Sequence, residues 1–584
     1  MNRMLGWLAL DGSEAKAQRL EACPYVSPHW NADHHSIYVE GAIALSATQR
    51  LITPECRAGL MPYRDNSSGC VINADVYLTN REELYESLGS DPQSADAVII
   101  LQAYLKWGEQ CTVHLAGQFC FMIWDPRHRH LFVAVDQFAQ CPLFFVYRAR
   151  EFFMTANECS AFHSIRPGLT LNSQRLVEFA KDMHSATETA YQEIHKLPPG
   201  HQMIVTATGL RQINYWRWKD HRQKLPYQSR EEFYEAAQSY FERAVKKCLR
   251  RLGPLTTQLS GGLDSSAVTA QAALLLAKQQ QSLTAFTILP HGLAGKSYRS
   301  GWYYHELPMV ETLLKRHSNI QHLIYRAKPS TDIFEKLKPL QRCFDQPLRN
   351  INNLDWSLAC YEQVLAQQGR VLLIGAGGNG TISWEGQSVL ENINSFYLWI
   401  KAKARLRRRR WIPKLHESML SGRLTAPLRA SVYALQLWYG VRRLDPTQDL
   451  NLAVFCYNVP QWIYRRGSQP LQRRLLTREG LGHLLPKEIA QNPYRGEQGA
   501  DWYLHYNLHR KAWRAQLNNL PPTSQAILWR AYDRQKIMAL FDDYPFLDQP
   551  PDRKTTQDLC YQLLRCLSVG NFLKNRQASD RISK

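Results

Sequence analysis

What the chain lacks narrows it first. Its 13 cysteines are odd in number and include no C-x-x-C pair. That argues against zinc ribbons and disulfide frameworks and favours reduced thiols in a cytoplasm. No apolar run is long enough to cross a bilayer. The opening Met1-Asn2-Arg3-Met4-Leu5-Gly6-Trp7 is apolar only briefly before Asp11, so neither signal peptide nor anchor is expected. Acidic residues are scarce, at 51 against 71 Lys and Arg, a formal net charge of +20. Such a balance calls for nucleic acid, an anionic membrane surface or an acidic peptide. Much of it sits in Lys401, Lys403, Arg405 and Arg407 to Arg410, between Trp399 and Trp411. That run reads either as a solvated helix face or as a surface for RNA or lipid.

A chain of 584 residues has room for two or more domains with full cores. The first part carries short alternating runs at Gly41 to Leu45, Cys70 to Leu78, Phe119 to Trp124, Leu131 to Val135 and Leu143 to Tyr147. Turns between them predict an antiparallel, sandwich-like domain. From about Pro226 the period changes. A helix over 231–251 leads into strand 255–259, helix 267–278 and strand 283–289; helix 306–317, strand 320–325, helix 356–368 and strand 370–375 follow. This alternation predicts a doubly wound parallel sheet. Ligands of such sheets bind at the carboxyl ends of strands, where the glycine turns 260–262 and 375–378 fall.

The stretch Leu259-Ser260-Gly261-Gly262-Leu263-Asp264-Ser265-Ser266 lies at a strand-to-helix turn. Two glycines let the backbone approach a phosphate, while serine hydroxyls and helix-opening N–H groups offer donors. No lysine follows the glycines, so the motif is not a Walker A loop. Gly292-Leu293-Ala294-Gly295-Lys296-Ser297 fails that pattern too, because Pro290 stands where its first glycine is required; it reads as a polar loop. The first stretch resembles the pyrophosphate-binding loop of the ATP pyrophosphatase superfamily, whose members cleave ATP to AMP and pyrophosphate.

Residues 1–215 resemble the class II glutamine amidotransferase domain of asparagine synthetases. The phrases that carry this are Asn73 to Leu84, Leu115-Ala116-Gly117-Gln118-Phe119, Phe121 to Asp125, Asp136 to Leu143, and Leu197-Pro198-Pro199-Gly200-His201 before Tyr215-Trp216. The family uses an N-terminal cysteine as nucleophile. Here processing would expose Asn2, and alignment on Leu5-Gly6 puts leucine at that place; neither side chain can form a thioester. The carboxylate that would hold the glutamine's amine is neutral Gln118. The resemblance therefore implies a degenerate domain without glutaminase activity.

Residues 216–584 resemble the asparagine synthetase domain, which activates a carboxylate as an acyl-adenylate. The resemblance implies ATP and Mg2+. The nucleotide would meet Ser260, Gly261, Gly262, Leu263, Asp264, Ser265, Ser266 and Gly375. Asp264 would hold the metal, and Thr287 and Ile288 would meet the adenosine. The family's second motif, Gly-x-Gly-(Gly/Ser)-Asp-Glu, reads here Gly375-Ala376-Gly377-Gly378-Asn379-Gly380, followed by Thr381-Ile382-Ser383-Trp384-Glu385-Gly386. Asparagine at 379 removes a carboxylate, which Glu385 is expected to replace.

This G-N-x-T-x-S-W-x-G variant, with Arg495-Gly496-Glu497-Gln498-Gly499-Ala500-Asp501-Trp502, resembles the asparagine synthetase-like lasso peptide cyclases. Leu444 to Asp449 and Phe455 to Pro460 resemble the stretch before it. Related ligases place a catalytic lysine near this element, where Tyr494 and Arg495 stand here. The resemblance implies Arg495, Tyr494 and Glu385 as catalytic residues, arginine supplying fixed charge without a proton-donating amine. His305-Glu306 stands where the family often has Asp-Glu, with a structural role expected for His305. Asp345 to Asn353 reads equally as an acceptor-pocket loop and as a capping turn.

The fold expected is α/β: an Ntn-type β-sandwich followed by a doubly wound synthetase domain with a helical extension. The function expected is a cytoplasmic, AMP-forming amide ligase that closes a lasso peptide macrolactam. Its partners would be a cleaved precursor peptide and the leader-cleaving protease. Nucleic acid is not expected, and 401–411 is left for peripheral membrane contact. An ammonia- or glutamine-dependent asparagine synthetase or another small-molecule amide ligase is the alternative. A nucleic-acid modifier and a catalytically silent scaffold rank lower.

Overall fold

The computed structural model describes residues 1–21, 27–165, 169–181, 183, 185–291, 302–303, 305–326, 328, 331–385, 416–417, 420, 426–548 and 551–582. Two six-stranded antiparallel sheets fill the first part. One runs in the order His195–Lys196, Phe144–Arg148, Phe152–Ala156, Asn2–Ala9, Ile43–Gln49, His34–Glu40. The other runs Gly209–Asn214, His201–Thr206, His130–Val135, Gly117–Asp125, Val71–Leu78, Tyr63–Arg64. Alternation along each strand sorts side chains to opposite faces. In the first strand Met4 and Leu8 join one core cluster while Leu5 and Trp7 join another. Cys120, Met122 and Trp124 share the cluster of Met4; Phe119, Phe121 and Ile123 turn to a third, under the helix Asp96–Trp107.

The second part is built on a five-stranded parallel sheet. Its order is Ile320–Arg326, Leu283–Leu289, Leu255–Gln258, Val371–Leu373, Arg442–Leu444. The chain starts in the middle, winds outward one way through the strands at 283 and 320, then crosses back to the one at 371. Leu255–Gln258 and Val371–Leu373 therefore flank the point where winding reverses, the usual ligand crevice of such sheets. The helix Leu263–Ala277 is apolar almost all round, with Ala267, Val268, Ala270, Ala272 and Ala273 fully buried. Its small residues let it lie close to both the sheet and the helix Arg230–Lys247. Helices Trp502–Asn518, Pro522–Ala531, Arg534–Asp543 and Leu564–Ile582 complete the far side. Among the described residues no helix is long and apolar enough to cross a membrane.

The two parts share core. The cluster holding Met4 and Val133 also holds Leu255, Ala267 and Leu444. At its centre lies a buried charge pair: Arg442, on the edge strand of the parallel sheet, donates to Asp75 in the antiparallel half. Tyr433 Oη also donates to Asp75, at 2.5 Å, and the Asn2 N–H does so at 2.9 Å. Burial works against the Asp75 charge, but Arg442 and these donors hold its carboxyl below the usual range. Around this centre Tyr77 Oη donates to the Lys247 and Arg250 carbonyls, each at 2.9 Å, and Arg250 meets Asp96 at 2.8 Å.

Replacing Arg442 by methionine leaves Asp75 buried without its guanidinium and should cost about 3–5 kcal/mol, read as a lower urea midpoint. The double variant Asp75→Asn/Arg442→Met should recover most of that loss. Equal losses in the single and double variants would mean that side-chain volume, not charge, holds this interface.

Candidate active site

Strand Leu255–Gln258 ends in the turn Ser260-Gly261-Gly262, and Gly262 caps the helix Leu263–Ala277 without any side chain bonded to its first N–H groups. Gly261 has φ of +63°, and a Cβ there would lie 2.9 Å from the Glu306 carbonyl. Only glycine suits both demands. Ser265 Oγ accepts the Ser260 N–H at 3.2 Å and lies 3.0 Å from Ser260 Oγ, which draws the turn shut around its donors. Ser266 Oγ is buried without a partner. Leu263 is half-buried. Thr287 donates to the Leu259 carbonyl at 2.8 Å, and Ile288 is buried. Both lie in the adjacent strand with their side chains turned into protein.

Asp264 faces the second glycine turn. A Cβ on Gly378 would come within 2.3 Å of its carboxyl carbon, and one on Gly375 within 2.8 Å of its backbone. The glycines are required by this approach, and Ser383 Oγ donates to Asp264 across it. On the other side of the turn Asp445 accepts the Gly377 N–H at 2.7 Å. Burial pushes the Asp264 carboxyl above its ordinary range and Asp445 adds to this, while Arg474, the Ser383 hydrogen bond and Arg495 oppose it. Asn379 is exposed.

Glu385 turns its carboxylate to a group of arginines. It accepts from Arg474 Nε at 2.5 Å and from Arg495 Nη2, with Arg473 Nη1 at 3.7 Å. Its immediate partners here are cations. Arg478 stands nearby, donating to the Ala490 and Asn492 carbonyls, and burial with the neighbouring Arg474 pulls its pKa down to about 10. Three arginines meet this one carboxylate beside the phosphate-type turn. Arg495–Gly496 is held by parallel pairing with Trp302–Tyr303. Tyr494 is 49% exposed, its ring edge-on to Tyr303 at 5.3 Å.

Glu306 gains weight from the structure. Its Oε1 accepts the Gly496 N–H at 3.2 Å, and a Cβ on Gly262 would lie 3.9 Å from the same oxygen. It thus joins the phosphate-type turn to the Arg495 segment. Burial pushes its pKa up to about 8, so it stands as a neutral acid near neutrality. The sequence marked its slot through the family's Asp-Glu pair. Arg473, Arg474 and Arg478 gave no signal against so basic a background. Asp501 accepts the His291 N–H at 3.0 Å and the Trp356 indole N–H at 3.1 Å, tying the carboxyl-terminal element to the sheet.

In the amino-terminal half Leu5 lies mid-strand between Ser46 and Ala156, its side chain in apolar packing. Asn2 Nδ2 donates to Asn73 Oδ1 at 2.8 Å. Gln118 Nε2 donates to Gln140 at 2.8 Å and to the Arg443 carbonyl at 3.0 Å. The residue aligned with an amine anchor instead holds the other half of the protein. Residues 292–297, Gly386 and the basic run 401–411 lie outside the described residues.

Glu306 fixes one pH dependence. Its folded pKa lies above its ordinary value of 4.5, so the folded state binds the extra proton. That stability is complete below the unfolded pKa and is lost as pH rises through the folded one. Glu306→Gln mimics the neutral acid. Its melting temperature relative to wild type should therefore climb from about pH 5 to about pH 9; a difference independent of pH would refute the protonated assignment.

Comparison with known proteins finds two family matches along the chain. The family model described as glutamine amidotransferase domain matches residues 1–216, and that described as asparagine synthase matches residues 236–436. The chain is similar to the glutamine-hydrolyzing asparagine synthetase 3 of Bacillus subtilis, 29% identical over 235 residues, 38% of either chain. It is also similar to amidase chry2 of Gibberella zeae, 24% identical over 281 residues, 46% of this chain and 40% of that one. The matched part thus spans about two-fifths of the length of these curated relatives. The structure of the allosteric regulatory enzyme of purine biosynthesis is similar at 12% identity and a TM-score of 0.29, over 55% of this chain and 80% of that one. The chain thus carries a region that matches the glutamine amidotransferase domain followed by one that matches asparagine synthase, and it is similar to asparagine synthetases.

Proposed function

We propose that the protein is an ATP-dependent, AMP-forming amide ligase. The observation that carries this is Asp264, set on the Ser260–Ser266 turn at the reversal point of the sheet, with Arg474 and Arg495 close enough to act on its charge. ATP would lie with its phosphates on the turn, meeting helix N–H groups and serine hydroxyls. A substrate carboxylate attacks the α-phosphorus, and pyrophosphate leaves with its charge spread over Arg473, Arg474 and Arg495. An amine then attacks the acyl carbon and AMP departs. The protein's share is positioning and fixed charge.

Magnesium fits the residues present. It binds through one or two carboxylates together with substrate phosphates, and Asp264, with the Ser383 hydroxyl bonded to it, offers the carboxylate. Bound there, it would neutralise phosphate charge.

The finer reading is closure of a lasso peptide macrolactam, between a side-chain carboxylate and the new N-terminus of a cleaved precursor. Supporting it are the G-N-x-T-x-S-W-x-G and R-G-x-Q-x-A-D-W phrases and the loss of glutaminase residues at Leu5 and Gln118, since the nitrogen would already lie in the peptide. A cytoplasmic setting and a leader-cleaving protease as partner belong to the same reading. The matched relatives favour a second one, an asparagine synthetase or other small-molecule ligase. Candidate core peptides, and separately aspartate with ammonium or glutamine, should be incubated with ATP while AMP is followed. Peptide-dependent AMP with loss of water from the peptide supports the macrolactam; asparagine formation supports the alternative. Glutamine alone should release no glutamate.

Asp264→Asn keeps the shape but removes the charge, so substrate-dependent AMP formation should fall at least about a hundredfold. A folded variant with near-normal release would place the metal elsewhere. Arg495→Ala should lower turnover on the order of a hundredfold, with less effect on ATP affinity. Arg495→Lys should recover only part, because the two-donor fork is lost. Wild-type turnover by Arg495→Ala would reduce that residue to surface charge.

A further inference from the structure

A hairpin in the antiparallel half carries a cluster that the ligase reading does not use. Strand Gly117–Asp125 turns through Pro126, Arg127, His128 and Arg129 into strand His130–Val135. Asp125 and His130 are direct cross-strand partners, so their side chains share one face of the sheet. Arg129 closes the turn at a left-handed φ of +50°. His128 folds back onto the same face, its ring 13° from parallel to that of His130 with centroids 5.5 Å apart.

One donor atom from each of Asp125, His128 and His130 comes within 4.8 Å of the other two. His128 Nδ1 lies 3.0 Å from Asp125 Oδ2. Tyr104, on the helix Asp96–Trp107, supports both strands: its hydroxyl donates to Asp125 Oδ2 at 3.0 Å and lies 2.8 Å from His130 Nε2. Outer hydrogen bonds of this kind orient metal ligands. The carboxylate is buried, the His130 ring is half-buried, and His128 is 64% exposed, so the cluster opens to solvent on one side. Two imidazoles and one carboxylate suit zinc and its transition-metal neighbours; magnesium and calcium take oxygen ligands. Arg127 is the competitor. Its Nε donates to Asp125 Oδ1 at 2.9 Å and its Nη2 to Oδ2 at 2.7 Å. Its side chain is 44% exposed and can leave for water, which the buried Asp125 cannot.

We propose that Asp125, His128 and His130 form a binding site for a zinc-class divalent ion, which takes the place of the Arg127 guanidinium. Three protein ligands leave zinc a fourth, open position. Here that position faces solvent beside His128, so the ion exchanges with solution. Tetrahedral zinc holds its ligand atoms about 3.4 Å apart, which asks for rotation of two rings on a turn already shaped. Once bound, the ion ties the ends of both strands together above Tyr104. The site stands on six consecutive residues and one tyrosine, and it does not depend on the ligase reading.

The test titrates Zn2+ into the metal-free full chain against a competing chromogenic chelator, with Mg2+ as a parallel arm. One zinc per chain should bind, at least about tenfold more weakly in His128→Gln and in His130→Gln, since even an outer partner of a metal ligand is worth that much. His128→Gln changes an exposed side chain, so the test stands even where His130→Gln folds poorly. Arg127→Gln should bind zinc more tightly than wild type, because guanidinium and metal claim the same oxygens. Zinc affinity unchanged in His128→Gln would mean an adventitious ion only, held by other histidines and thiols, and would overturn the proposal. Equal binding of Mg2+, or weaker zinc binding in Arg127→Gln, would overturn it too. None of these readouts involves ATP or AMP, so a silent ligase assay leaves them intact.

Discussion

Arg442 and Asp75 set the terms for the rest of the molecule. Each is a charge taken almost entirely from water, each comes from a different half, and neither tolerates the loss of the other. Their pairing brings the outer strand of the parallel sheet, Arg442–Leu444, against the antiparallel half. The next residues follow directly. The Arg443 carbonyl accepts from Gln118, and Asp445 reaches the Gly377 N–H. One short run of chain therefore closes the amino-terminal half and shapes the nucleotide-type turn. Domain contact and site geometry are one structure, and the amino-terminal half forms part of the wall.

The nucleotide-type site shows the same economy of parts. Tight backbone contacts, at Gly261, Gly375 and Gly378, hold two turns face to face, and the charges stand around them. Asp264 is desolvated, yet arginines close by work against the rise in its pKa. Glu306 is desolvated too, but receives one backbone N–H and stays neutral. Two carboxyl groups on either side of one glycine turn thus keep different company: arginines and a serine hydroxyl around Asp264, one backbone N–H at Glu306.

The sequence was most legible where local chemistry dictates form. The glycine-serine turn, the strands at 255, 283, 320 and 371, and the helix after the turn all lie where period and composition put them. Resemblance supplied the order of the two domains. Strands Asn2–Ala9 and Phe152–Ala156 were missed, because both of their faces are buried and their apolar runs do not alternate. The arginines at 473, 474 and 478 were missed because their meaning comes from convergence on Glu385, which only folding creates. For Glu385 too, charge type is visible in a sequence, but the arginines that meet it across space are not.

The hold on Arg495 differs in kind from the hold on its neighbours. A two-residue ladder with Trp302–Tyr303 fixes its backbone, and its side chain is 37% exposed against 14% for Arg474. Short, solvated ladders open at far lower cost than a sheet interior. The fold thereby places two arginines on one buried carboxylate with unequal access to water. Charge on the more solvated one is screened more by salt than charge on the other. One acid thus anchors a sheltered cation and an open one at the same rim.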